Sequence, residues 1–468
     1  MKMTRRDFCV AAVAVVGEGV SSRTMAADVD RPPVSGKRWY RGMIHAHTCW
    51  SDGRALPEQA VAAYKNGGYD FFSITDHNRI GADPDRWIEV APLDGKWPPK
   101  TIEPSVFEAF KAAFPDAKWR TRGSKTEVRM SPMSEIATRF SEPGKFLFMP
   151  GCEVTTLILD AKGVRRDLHV NYVGLDEVIP RYRGKPLIEE IKGKTVAEVM
   201  REAKYQVDAM AKTKGNAPHI FFVNHPHWRY YDVLPEDILA NPDVRFFEVC
   251  NTGCDWPPEA PMPQDGFDND RIWDAVNAVR CLRGEPLLYG VATEDSHWYP
   301  DSGTSHTPIV FRDAWIGVRA DALSPESLFA AMDMGDFYAS GGIDLEGMRF
   351  DGATRTLSVA VPAKPGVSYK VKFITTRRGA NTEPVDVVTI SGKEDRPVRR
   401  VPIYSGEVGA VARSVTFGKG EAVRASYKMR SDDLYVRARV EADEPAVYPN
   451  SIQKMHPPMK VAWTQPYR

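Results

Sequence analysis

Residues 43–53, MIHAHTCWSDG, set His45 and His47 two positions apart, with Asp52 five beyond His47. In an extended strand alternate side chains share a face, so both imidazoles aim to one side. Two imidazoles aimed together are either a stacked surface pair or two ligands of one metal. The chain holds only 10 His among 468 residues, so the setting of the others decides between these readings.

The others recur in one kind of place. FFSITDHN ends an apolar run with Asp76 and His77, and MPGCEVT ends another with Glu153. DLHVNYVG carries His169, FFVNHPHW carries His225 and His227, FFEVCNTG carries Glu248 and Asn251, and GVATEDSHW carries Asp295 and His297. Seven of the ten His fall in this set. Core histidines scattered by chance would not sit repeatedly at the ends of apolar strands, so the set reads as a metal cluster. Imidazole and carboxylate without thiolate favour zinc, manganese or iron in a working site over structural zinc. One ion needs three or four protein ligands, and nine candidates imply two or three ions sharing a carboxylate. Clustered ions lower the pKa of a bridging water and hold an anionic oxygen opposite it, which is hydrolytic chemistry. No G-x-S-x-G elbow, P-loop or dinucleotide glycine motif offers another chemistry.

Elements that would position these groups alternate from residue 37 to 345. Strand-like runs at 43–47, 70–75, 145–149, 168–173, 219–223, 244–249 and 287–292 are separated by helical stretches. Pro57 begins one helix, and Thr195-x-x-Glu198 is a capping box opening another toward Lys212. Further helices are expected at 271–283 and 325–334. Strand–helix alternation implies a parallel sheet, open or closed into a barrel, whose strand ends carry the site. Residues 80–134, rich in Pro and Trp, break the rhythm and read as an insertion over one end. After 346, TLSVAVPA, YKVKFITT, AVARSVTF and DLYVRARVEA alternate apolar and polar residues, the pattern of a C-terminal all-β sandwich, 346–468.

Composition excludes several classes. Lys+Arg 62 balance Asp+Glu 62, leaving no electrostatic footprint for nucleic acid or an anionic membrane. Residues 1–27 have a basic start, a short apolar run and small residues at Ala26–Ala27, the layout of a signal peptide. Arg5–Arg6 ahead of Asp7–Phe8 resembles the twin-arginine export signal, so a periplasmic or secreted protein is expected. No other run is apolar enough for a transmembrane helix. Of six Cys, Cys9 lies in the presumed signal, and the other five suggest no disulfide framework. Cys250 and Cys254 could bridge, but two buried thiols fit better.

Together, H-x-H-T-x-x-S-D-G at 45–53, T-D-H-N at 75–78, G-x-E at 151–153, N-H-P at 224–226 and D-x-H at 295–297 resemble the polymerase and histidinol phosphatase (PHP) superfamily. The resemblance covers about residues 37–345, with the motifs in the family's order. The export signal, Trp39–Tyr40, Glu248-Val-Cys-Asn251 and the ending at Ala462-Trp-Thr-Gln-Pro resemble its secreted carbaryl-hydrolase-like branch. The resemblance implies a distorted (β/α)7 TIM-like barrel with a centre of two or three divalent ions. It implies that His45, His47, Glu153 and Asp295 hold one ion. Glu153 would bridge to a second held by His169 and His225, and Asp52, His77 and His297 would hold a third. His225, which precedes proline, is the implied ligand, and His227 is left to face the substrate or a ligand. Glu153, Asp295 and His227 are the residues expected to carry the reaction. Asp76 would orient an imidazole or hold a turn. Glu248 and Asn251 would face the pocket, or Glu248 an ion pair. His306 and Arg312 sit in a loop that could fold over the site.

The expected activity is an exported metal-dependent phosphoesterase acting on a small ester, a metal-bridging hydroxide attacking the phosphorus. A carboxyl-ester or carbamate hydrolase with the same centre is the alternative, and a non-catalytic metal-binding scaffold is the second. Neutral charge and export disfavour a nuclease. No nucleic-acid partner and no membrane insertion of the mature chain are expected.

Overall fold

The computed structural model describes residues 36–93, 100–226, 232–253, 269–305, 313–390, 399–446 and 459–468. The presumed signal at 1–27 and Cys254 lie outside them. Among the described residues, Cys49, Cys152 and Cys281 are free thiols. Among the described residues no helix is long and apolar enough to cross a membrane.

The chain enters through β1 (Arg38–Met43), and Pro57 then opens α1 (Pro57–Asn66), where its missing N–H costs no helical bond. After β2 (Phe71–Ile74) comes a small four-stranded sheet of β3 (Trp87–Val90), β4 (Thr101–Ile102), β5 (Trp119–Arg122) and β6 (Lys125–Arg129). α2 (Pro104–Ala113) lies within it in sequence, and α3 (Met133–Phe140) follows it. The chain continues with β7 (Leu147–Leu159), β8 (Arg165–Val173), β9 (Glu189–Lys192) and α4 (Val196–Thr213). Both bonds of the α4 capping box form: the Thr195 hydroxyl accepts the Glu198 N–H at 3.2 Å and Glu198 accepts the Thr195 N–H at 2.8 Å. Then come β10 (Ile220–Val223), α5 (Pro235–Leu239), β11 (Phe246–Asn251), α6 (Asn269–Arg283), β12 (Tyr289–Thr293), β13 (Trp315–Ala320), α7 (Pro325–Asp333) and β14 (Phe337–Gly341). The C-terminal strands are β15 (Gly347–Asp351), β16 (Thr356–Val361), β17 (Tyr369–Thr375), β18 (Asp386–Ile390), β19 (Arg399–Ile403), β20 (Ala410–Phe417), β21 (Val423–Lys428), β22 (Arg437–Pro445) and β23 (Met459–Thr464).

The fold is mixed α/β around one large sheet, in the order β12-β11-β10-β8-β7-β2-β1-β13-β14-β23-β22-β17-β20, with β9 beside β7. This corrects the expected TIM-like barrel. β1, β2 and β7 pair in parallel, as do β10, β11 and β12, but β8 runs antiparallel to both β7 and β10, and β13 antiparallel to β1. Among the described residues no ladder closes the sheet on itself. It curls instead. Ile44, Phe71, Met149, Val173, Phe222, Phe246, Val291, Ile316 and Phe337 meet in one core cluster, with Leu328, Phe329 and Met332 of α7 packed among them. Phe337 on β14 lies 6.1 Å, ring to ring, from both Phe246 on β11 and Tyr289 on β12.

The free edge of β12 is capped by a side chain. Gln465 is fully buried, accepting the Gly290 N–H at 2.8 Å and donating to the Gly290 carbonyl at 2.8 Å. Its amide replaces a pair of ladder bonds. Gln465→Leu therefore orphans a buried N–H and a buried C=O, at about 1–3 kcal/mol each. A lower urea midpoint with an unchanged slope is the expected readout.

Beyond 346, β15-β16-β21 form a separate sheet, with Tyr427 of β21 stacked on Phe373 of β17 at 5.8 Å. The opposing strands do not stand alone: β23 pairs with β14, so the layer containing β22, β17 and β20 is continuous with the central sheet.

Candidate metal centre

His45 and His47 follow β1 instead of ending it, on a stretch tied to the segment after β12 by the Ala46–Ser296 bridge. His77 follows β2, and Asp295 and His297 follow β12. Glu153 lies within β7, which runs on to Leu159 as a hairpin with β8 carrying His169. His225 follows β10. Asp295 at φ +48° and His225 at φ +21° occupy conformations that cost non-glycine residues energy.

All nine expected ligands converge at this end of the curled sheet. One group is His45, His47, Glu153 and Asp295. His45 Nε2 lies 3.2 Å from His47 Nε2, 3.5 Å from Glu153 Oε2 and 3.2 Å from Asp295 Oδ1. His47 Nε2 lies 3.1 Å from Glu153 Oε2 and 3.0 Å from Asp295 Oδ1. Ligands bonded to zinc at about 2.0–2.1 Å in a tetrahedron stand about 3.3–3.4 Å apart, so the edges among His45, His47 and Glu153 suit a single ion, with Asp295 reaching the two imidazoles.

Asp52 gathers a second group, with its Oδ2 3.5 Å from His77 Nε2 and 3.3 Å from His297 Nε2. His47 belongs to this group too, its ring 4.4 Å from the rings of both His77 and His297. In a third group Glu153 joins His77 Nδ1 at 2.9 Å and His169 Nδ1 at 2.8 Å. His225 stands further out, its Nε2 3.7 Å from Glu153 Oε1 and 3.9 Å from Asp295 Oδ2. His227, His306 and Arg312 lie outside the described residues.

Glu153 is the hinge of the arrangement. Nitrogens of His45, His47 and His77 all lie within 3.5 Å of its Oε2, yet this buried oxygen has no hydrogen-bond partner. A ring of donors around an oxygen that none of them satisfies is the geometry of ligands facing a common cation. The electrostatics agree. Burial alone would raise the Glu153 carboxyl, but the imidazoles of His77, His45 and His169 hold it well below its usual range. Burial opposes ionisation of Asp295 and Asp52 too, and is outweighed by His45 and His47 at one and by His297 and His77 at the other. His297, which burial alone would lower, is pushed up to about 9 by Asp52. The donor set is thus an array of buried carboxylates balanced by positive charge, and divalent ions fit it.

Glu248 supplies a role that the sequence left open. It is fully buried and saturated: Oε1 accepts from His45 Nδ1 at 2.7 Å and the Thr293 hydroxyl at 2.6 Å. Its Oε2 accepts from the His225 N–H at 2.7 Å and Asn251 Nδ2 at 2.8 Å. A proton held on His45 Nδ1 leaves the Nε2 lone pair facing the cluster. Glu248→Gln should raise the metal dissociation constant about 10–100-fold, as loss of such supporting carboxylates does, which competition with a chelating dye would measure.

Asp76 holds a turn and reaches an imidazole only through Ser51, whose hydroxyl lies 3.4 Å from His47 Nδ1. It accepts from the Thr48 N–H at 2.8 Å, the Thr48 hydroxyl at 2.7 Å and the Ser51 hydroxyl at 2.5 Å, fixing the loop that carries Asp52. Sequence reasoning missed Thr155, 2.6 Å from His77 Nδ1, and Asn224, which donates to Glu153 Oε1 at 2.8 Å. Thr155 is two residues from Glu153 on one strand face, and Asn224 precedes His225, so both were within reach of spacing. The cluster opens on the side of His297, which is 21% exposed while His45 and His47 are wholly enclosed.

No protein-family model matches the chain, and no curated protein is similar to it. Among solved structures, it is similar to a two-domain protein from Bacteroides vulgatus containing a predicted PHP-like metal-dependent phosphoesterase. That match has 15% identity, covers 94% of this chain and 98% of the other, and has a TM-score of 0.38. A protein from Bifidobacterium adolescentis, assigned as a metal-dependent phosphoesterase, matches at 14% identity over 60% of this chain and 95% of its own, TM-score 0.26. An amidohydrolase from Chromobacterium violaceum matches at 13% identity over 58% of this chain and 92% of its own, TM-score 0.29. With TM-scores this low, the functional reading rests on the site residues themselves.

Proposed function

We propose that this chain is a metal-dependent hydrolase of the PHP type acting on phosphoesters, in the superfamily's secreted carbaryl-hydrolase-like branch. The observation that carries it is Glu153 Oε2, buried among three imidazole nitrogens with no hydrogen-bond partner. His45, His47, Glu153 and Asp295 would hold one ion, and Glu153 would share a second with His169 and His225. Asp52, His77 and His297 would hold a third. Two or three divalent ions bound here supply the Lewis acidity and the activated water of ester hydrolysis. The chain's own residues set the terms. Asp52, Glu153 and Asp295 carry the negative charge that offsets the ions. With Glu248 behind His45 these buried carboxylates number four, so two dications are balanced and three would leave a surplus of positive charge, which suits a phosphoryl centre better than a neutral carbamate. Glu248 and Thr155 fix the imidazoles, so no reorganisation is needed as charge develops. Export through residues 1–27, to the periplasm or beyond, belongs to the same proposal.

The test is the full chain reconstituted separately with zinc, manganese and iron. Nitrophenyl phosphodiester and monoester are assayed beside an aryl ester and an aryl carbamate. Phosphoester turnover that a chelator abolishes and metal restores is the expected result. Turnover of the carbamate or aryl ester alone would move the same centre to carboxyl-type chemistry. Purification without stoichiometric metal, and no turnover of any ester, would leave a scaffold.

A further inference from the structure

An open cleft of about 620 Å3 lies beside α1 and α3, lined by Glu58, Asp116, Ser131, Ser134, Thr138 and Arg139, among others. Its size falls in the range of small-molecule sites. The residues lining it are polar apart from Ile136, and none is aromatic. Two of its acids are already matched. Asp116 takes both terminal nitrogens of Arg139 at 2.8 Å, and Glu135 takes those of Arg129 at 2.7 and 2.8 Å.

Glu58 is different. It is 3% exposed, its Oε1 accepts the Ser131 hydroxyl, and its Oε2 has no hydrogen-bond partner. An unmet carboxylate oxygen on a buried residue that lines the cleft is a costly feature in a chain that satisfies its other acids nearby. It is offset when a donor enters, and a charged donor forms the stronger bond. The lining carries three carboxylates and one guanidinium, so a cation is favoured over an anion. Thr138 spends its proton on the Ser134 carbonyl at 2.8 Å, leaving its lone pairs to accept from hydroxyls.

We propose that this cleft binds a small ligand bearing an ammonium group and hydroxyls, with Glu58 receiving the ammonium and Ser131, Ser134 and Thr138 the hydroxyls. None of these residues belongs to the metal cluster, yet the two places touch. The Ser131 carbonyl accepts the Trp50 indole N–H at 3.3 Å, and Trp50 lies in the loop ending at Asp52. The indole is pressed against Gly81, where an added Cβ would lie 2.5 Å from the ring. A ligand at Glu58 is therefore one side chain away from the segment that presents Asp52.

The full chain is titrated calorimetrically with glucosamine, glucose and glucuronate, which share a ring of hydroxyls and differ in charge. Glucosamine should bind one per chain, at least about 10-fold more tightly than glucose, and glucuronate should give no heat. Glu58→Gln should reduce glucosamine binding to the level of glucose. Ser134→Arg, made at an exposed rim position, should abolish it and keeps the test decisive if Glu58→Gln folds poorly. No glucosamine binding below 10 mM, equal binding of glucuronate, or binding that survives Ser134→Arg would overturn the proposal.

Discussion

Glu153→Gln should leave a folded protein without its full metal complement, with kcat/KM lower by at least about 10^3-fold. The backbone reasons for expecting a folded product are specific. Glu153 is stitched into the sheet by a bridge to His77, and its carbonyl accepts the Asn78 N–H at 2.7 Å. Gln keeps those bonds, and its own carbonyl can still accept from Asn224. What it loses is the charge and the second oxygen. In place of Oε2 it sets an NH2 group against nitrogens of His45, His47 and His77, which stand 2.9–3.5 Å away. Metal content per chain by mass spectrometry, steady-state rates and far-ultraviolet circular dichroism measure the three parts separately. Full metal with full activity would take the shared role from Glu153. Asp295 would then be the candidate, since its Oδ1 lies as near to His45 and His47.

The cluster was legible because its residue types are rare and their spacing is local. His45 and His47 need only the two-residue repeat of extended backbone to share a side, whereas Asp295, at φ +48° beyond the end of β12, departs from that repeat. The route of the sheet was less legible. Pro150 and Gly151 read as the stop of a strand at 149, whereas β7 continues through them to Leu159. Gly151 is there for close packing: a Cβ would come within 2.8 Å of Ser73, Thr75 and the Tyr172 carbonyl. The continuation builds the β7–β8 hairpin, which makes the sheet mixed and faces His169 toward Glu153. Periodicity reports which side of a strand is buried and says nothing about whether its neighbour runs parallel. Nor does it show that Gln465 caps Gly290, a pairing 175 residues apart in sequence. Glu248 was ambiguous for a related reason. A buried carboxylate at a strand end serves equally well as ligand, orienter or ion-pair partner, and only its four donors decide.

The second large effect is expected outside the candidate metal centre, at Arg437. Asp270 and Asp274 lie one turn apart on α6 and meet Arg437 of β22, which is wholly buried. Its Nε and one terminal nitrogen bind Asp274 at 2.8 and 2.6 Å, and the other terminal nitrogen lies 2.7 Å from Asp270. Arg439 and Trp463 also reach Asp270, and the Tyr435 hydroxyl reaches Asp274 at 2.7 Å. Burial raises the Asp270 carboxyl, but Arg437 and Arg439 outweigh it and hold the group below its ordinary range. Its contribution is therefore complete at neutral pH and fades only as pH falls through that lowered value. Arg437→Met leaves Asp274 charged and buried with no cation, and breaking such a pair costs about 3–5 kcal/mol. Adding Asp274→Leu should restore most of the loss, because the desolvated charge is then gone as well. The consequence reaches the site through α6. Its Trp273 donates to the Leu288 carbonyl at 2.7 Å and packs on Phe247 of β11, and Leu288 directly precedes β12. Urea midpoints of Arg437→Met should fall with and without metal, while the metal affinity of the still-folded protein stays within about threefold of the parent. An equal loss of metal affinity at low urea would mean that the clamp sets the position of Asp295 and His297 and does more than hold the strands to the helix.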